Sequence, residues 1–94
     1  MSLETLTTKY IASAEKVLKE LELSQEPITV TDESVTSILS YISDYLEDAK
    51  YYKAQGKLET SLTSIAYCEG LLDTLKLLGA VKFEWPSKNQ ERKQ

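Results

Sequence analysis

Three glycines and two prolines are all the backbone punctuation this 94-residue chain contains, and their positions decide most of its architecture. Pro27, Gly56 and Gly79 divide the chain into three long stretches, and Pro86 opens a short C-terminal piece. Proline removes a helical hydrogen-bond donor, and glycine after a helical pattern favours the left-handed conformation that ends a helix. So few breaks leave room for few, long elements. Only Gly70 stands out of place, inside the apolar run "SIAYCEGLLDTL" beside Glu69. Glycine costs a helix interior about 1 kcal/mol relative to alanine.

Each stretch carries apolar residues at helical spacing. In the first, Leu3, Leu6, Tyr10, Ala14, Val17, Leu18 and Leu21 share one stripe, which predicts a helix over about 3–22. The second begins where Thr31 or Asp32 can serve as N-cap, with Asp32 and Glu33 at the positive end of the helix dipole. Its stripe of Val35, Ile38, Leu39, Ile42, Leu46 and Ala49, bordered by Tyr45 and Tyr52, predicts a helix over 32–54. A third helix over 58–78 follows the "AQGK" turn. A link this short makes the second and third helices antiparallel neighbours. The third has two apolar faces, one with Leu58, Leu62, Ile65 and Leu72, the other with Cys68, Leu71, Leu75 and Leu78. Packing from two sides is therefore expected of it.

The fold expected is an all-α three-helix bundle with a long αα-hairpin and a short extended C-terminal tail. Residues 1–85 form one helical domain, and 86–94 form a polar flexible tail. In "AVKFEWP", Val81, Phe83 and Trp85 alternate with Lys82 and Glu84, as in an extended segment with one apolar edge. The hairpin has the look of a tetratricopeptide unit, but no second copy lies 34 residues away, and solenoids need about three repeats.

Composition narrows the function classes. The net charge is −4, with residues 1–79 at −6 and residues 80–94 at +2, which argues against nucleic acid as a partner. No apolar run is long enough to span a bilayer, and "MSLETLTTKY" lacks the pattern of a signal peptide. With one cysteine and no intrachain disulfide, a reducing cytoplasm is the expected location. There is no histidine, so Cys68 lacks a base to activate it, and structural zinc lacks ligands. No glycine-rich loop is present to cradle phosphate. No enzyme activity and no cofactor are expected.

Two features invite a functional reading. Asp44 and Asp48 lie one helical turn apart on the second helix, with Tyr41, Tyr45 and Tyr52 nearby, and such a pair can share Mg²⁺ with substrate oxygens. Solvated helix faces carry the same pattern at little cost. Glu69 falls near the middle of the Leu58–Leu62–Ile65–Leu72 face, where it is expected to be largely buried and bonded to a tyrosine or lysine. Gly70 is expected to allow close approach by another chain segment.

The run from Asp44 to Trp85 resembles a known family. "DYLEDAKYY", the "QGK" turn, "IAYCEGLLDTLKLLG" and the closing "FEW" together are similar to the archaeal family of short helical domains catalogued as domain of unknown function 357. The resemblance implies an all-α domain from an archaeon, attached in some members to a nucleotidyltransferase-like domain. It implies no activity and no catalytic residues. The reading that follows is a non-enzymatic module for self-association or for docking another protein. A homodimer is expected, with the tyrosine-rich edge of Tyr41, Tyr45 and Tyr52 or the Phe83–Trp85 segment in its contact. The alternative is a small binding domain for a nucleotide or phosphorylated metabolite, using Asp44, Asp48 and Glu69 with magnesium.

Overall fold

The computed structural model describes residues 2–86 and holds three helices, α1 over Leu3–Glu20, α2 over Asp32–Ala54 and α3 over Leu58–Leu77. No strand occurs among the described residues. Each helix begins and ends for a local reason. Ser2 Oγ accepts from the Thr5 amide at 3.0 Å, and Thr31 Oγ1 accepts from the Ser34 amide at 3.0 Å. These bonds satisfy donors that the first turn leaves unpaired. Gly56 (φ 77°) and Gly79 (φ 76°) end α2 and α3 in the left-handed region. At both ends a paired set of bonds closes the last turn: Lys57 to the Tyr52 carbonyl and Gly56 to the Lys53 carbonyl, then Ala80 to the Leu75 carbonyl and Gly79 to the Lys76 carbonyl. This is the Schellman arrangement, for which glycine is best suited. No glycine follows α1, and its helix ends at Glu20, with Leu21 already extended (ψ 151°).

The core lies between α2 and α3. Ile42, Ala49, Cys68 and Leu75 are its buried apolar residues, with Ile38, Tyr45, Leu71 and Leu72 packed around them. Two side-chain bonds set the antiparallel register. Ser61 Oγ donates to the Ala49 carbonyl at 2.7 Å, and the Cys68 thiol donates to the Ile42 carbonyl at 3.4 Å. Small side chains at Ala49 and Ser61 let the two backbones approach near the turn.

After Gly79 the chain folds back over α3. Ala80 and Val81 pack on the core. Trp85 Nε1 donates to Asp73 Oδ1 at 2.8 Å, and the Phe83 and Trp85 rings meet edge to face at 5.1 Å. Lys76 Nζ sits 4.9 Å from the centre of the Phe83 ring and 3.7 Å from Glu84 Oε2. The expected alternation holds, with Val81, Phe83 and Trp85 half-buried and Lys82 and Glu84 exposed. The polar tail over 87–94 lies outside the described residues.

The expected all-α, three-helix arrangement with its α2–α3 hairpin is found, and α1 stands apart from that hairpin. Only α2 and α3 pack as helices, and no residue of α1 is buried. The helix comes near the hairpin at a shallow groove, where Leu3, Leu6 and Tyr10 face Glu59, Thr60 and Thr63 on the side of α3 away from α2. Consequently α3 is covered by α2 on its Cys68–Leu75 face, while Leu58 and Leu62 remain 63% and 69% exposed.

Candidate functional site

Both flanks of the α2–α3 contact carry large side chains, and the antiparallel geometry sorts them. At 100° per residue, Tyr41, Tyr45 and Tyr52 lie to one side of the buried strip of α2, with Leu39 and Leu46 to the other. On α3, Tyr67 and Leu78 lie to one side of Cys68 and Leu75, with Leu58 and Leu62 to the other. The Tyr45 and Tyr67 rings touch at 4.6 Å in an edge-to-face arrangement. That contact joins the two tyrosine flanks, so Leu39, Leu46, Leu58 and Leu62 share the opposite flank. The hairpin thus presents one aromatic edge and one leucine groove.

The aromatic edge continues from Tyr67 through Tyr45 to Tyr41, whose ring stacks on Tyr45 with centroids 6.1 Å apart. Tyr45 and Tyr52 are half-buried, and Tyr41 is exposed. Tyr51 meets Tyr52 edge to face at 5.3 Å. Asp44 and Asp48 border this edge and are both exposed. Among the described residues no three His, Cys, Asp or Glu side chains converge as metal ligands.

On the leucine side the structure corrects two expectations. Glu69 is half-buried at the margin of the α2–α3 contact, not enclosed by it. Among the described residues nothing lies within 4 Å of the place a Cβ would take on Gly70, which is exposed. The reason is common to both residues: α2 covers the Cys68–Leu75 face, so the face that holds Glu69 meets solvent at its rim. No other described segment passes within contact of Gly70. Glu69 still acts on the core electrostatically. Burial pushes the Cys68 thiol above its usual range, and the negative charges of Glu69 and then Asp48 push it further. A thiolate there loses hydration and meets like charge.

The sites foreseen from sequence are therefore separated. Tyr41, Asp44, Tyr45, Asp48 and Tyr52 gather on the aromatic edge, Glu69 sits at the rim of the leucine side, and Gly70 faces solvent on the back of α3. Phe83 and Trp85 fold onto α3 within the chain. Sequence reasoning missed Tyr67 and Asp73. Tyr67 is recoverable once Cys68 is set opposite Ile42, because the register then brings it beside Tyr45. No sequence signal marks Asp73 as the acceptor for Trp85.

Neither a curated protein nor a solved structure matches this chain. A family model does match, over residues 9–81, and it is described as Protein of unknown function (DUF357). The matched span takes in most of α1 and its linker as well as the hairpin, so it reaches further towards the N-terminus than the motifs from Asp44 onward. No helix among the described residues is long and apolar enough to cross a membrane. With more than half its length matched, the chain belongs to the family of domain of unknown function 357.

Proposed function

We propose that this chain is a non-enzymatic helical interaction module that works by self-association or by docking a partner protein. The observation that carries the reading is the amount of apolar side chain left uncovered. Leu58 and Leu62 on the hairpin, and Leu3, Tyr10, Val17 and Leu18 on α1, all stand more than half exposed at regular helical spacing. Isolated exposed leucines are ordinary, but a contiguous row on two facing types of surface marks a contact site. The free Cys68, buried and held as the neutral thiol, suits a reducing cytoplasm.

Thermal shift against a panel of nucleotides with and without Mg²⁺, run beside sedimentation equilibrium, tests this reading. A nucleotide at 100 times its dissociation constant adds about 2.7 kcal/mol of stability. The expected result is no nucleotide-dependent shift together with association, either of the chain with itself or with a protein partner. A saturable nucleotide shift that disappears in Asp44→Asn or Asp48→Asn would replace it with the binding-domain alternative.

A further inference from the structure

We infer that two copies of this chain associate by exchanging α1, the apolar stripe of each α1 seating in the leucine groove of the other copy's hairpin. The inference rests on the interaction-module reading above and names the partner as a second copy. Three observations lead to it.

The first is area. The chain exposes 8411 Å². A compact protein of 10.6 kDa exposes about 5,500 Å² by the usual scaling of surface with mass. The most that Met1 and residues 87–94 could contribute to the difference, by their mass alone, is about 1,600 Å². More than about 1,000 Å² per chain remains, which exceeds the roughly 800 Å² that each partner contributes to a standard stable interface.

The second is complementarity. The exposed apolar side chains fall on two matching shapes: a single-helix stripe on α1, whose first turns lie near the back of their own α3, and a groove between two helices, lined by Leu39, Leu46, Leu58 and Leu62 with Glu69 at its rim. An apolar helix stripe packs best into a groove of this kind. With 18 residues, α1 is about 27 Å long, close to the length of α3, which has 20. The C-terminal segment already covers the end of the hairpin around Asp73 and Lys76, and the end near the turn is the one left open.

The third is the hinge. Residues 21–31 join α1 to α2 without helix or strand, and Leu21, Leu23, Ile28 and Val30 in it are all exposed. Eleven residues reach about 36 Å when extended, enough to carry α1 to a neighbouring hairpin. Pro27 and the β-branched run from Ile28 to Thr31 hold this segment extended. A loop that simply returned α1 to its own hairpin would have no need of four apolar side chains. In an exchanged dimer the two hinges pass each other and cover them. Exchange of an identical element is a low-cost route to a two-fold dimer.

The test compares the wild-type chain with Leu62→Glu and Leu77→Glu. Leu62 lines the groove, whereas Leu77 is 87% exposed and points away from α2, and neither belongs to the buried core. Sedimentation equilibrium is expected to give twice the 10.6 kDa chain mass for wild type and Leu77→Glu. Leu62→Glu is expected to keep the hairpin's helical circular dichroism, to lose part of the α1 contribution, and to raise the dissociation constant at least about 100-fold, because each dimer loses the contact twice. Isotope-filtered NOEs in a mixture of labelled and unlabelled chains should connect α1 methyls of Val17 and Leu18 to Leu58 and Leu62 of the other copy. A dimer that lacks those NOEs and ignores Leu62→Glu overturns the exchange but keeps self-association. A monomer whose α1 closes its own groove overturns both the exchange and self-association.

Discussion

Gly70 and Gly56 lack the same atoms under opposite constraints. Gly70 sits in the interior of α3 with nothing among the described residues near the place where a Cβ would go, whereas Gly56 holds φ at 77°. We expect Gly70→Ala to raise stability by about 0.5–1 kcal/mol through helix propensity. Gly56→Ala should lower it by about 1–2 kcal/mol, the cost of the left-handed region for a residue with a side chain. Paired urea melts check both signs, and a loss at Gly70 would reveal a neighbour there. Glycine within an apolar run suggests close approach, yet the wheel cannot say which apolar face a partner covers, and here it is the other one. Cys68 gives a second residue-scale prediction. Its thiol pKa is raised by burial and then by the charges of Glu69 and Asp48, while the unfolded thiol titrates near about 8.5. Above that pH the unfolded chain has released a proton that the folded chain keeps. Stability should therefore fall as pH rises past about 8.5 and level off beyond the raised folded value. The same melts on Cys68→Ala should lose this component, and equal pH slopes in the two proteins would show the thiol to be unshifted.

At the scale of elements, the hairpin and α1 respond to different changes. Leu75 is 1% exposed and touches the strip that holds α2, α3 and the Ala80–Val81 return together. Leu75→Ala should cost about 2–5 kcal/mol, as expected for truncation of a fully buried leucine, and should loosen both hairpin helices at once. Hydrogen exchange of α2 and α3 amides reads this directly, and protection lost in only one of them would contradict a shared core. Most of this level was legible in the sequence. Thr31 and Gly56 bound α2 as their chemistry requires, and Gly79 ends α3 two residues after its last helical residue. Alternation at Val81, Phe83 and Trp85 foretold which side chains turn inward. What could not be read was the relation of α1 to the rest. Its stripe is as regular as those of α2 and α3, but periodicity shows that a face needs cover and does not identify what covers it. The candidate surfaces were legible in the same partial way. Tyr41, Tyr45 and Tyr52 were placed on one edge correctly, whereas the register that adds Tyr67 depends on Ser61 and Cys68 bonding across to α2.

For the whole molecule, the consequence of an exposed stripe and an exposed groove is that stability is tied to concentration. Much of α1 gains its apolar burial only when it is seated, because a lone helix of 18 residues is marginal in water. If two copies supply the groove for each other, folding and association are one equilibrium, and mass action moves the melting point. The size of the movement follows from the entropy of unfolding. At about 2.1 cal/mol/K per residue for both chains, a tenfold rise in concentration, worth about 1.4 kcal/mol per dimer, raises the melting temperature by about 3–4 °C. Calorimetry from low to high micromolar concentration should show this slope for wild type and for Leu77→Glu. Leu62→Glu places a carboxylate in the groove, where it loses hydration without gaining a partner, so it should melt lower and at one temperature throughout. A wild-type melting temperature independent of concentration would mean that α1 draws its stability from its own chain.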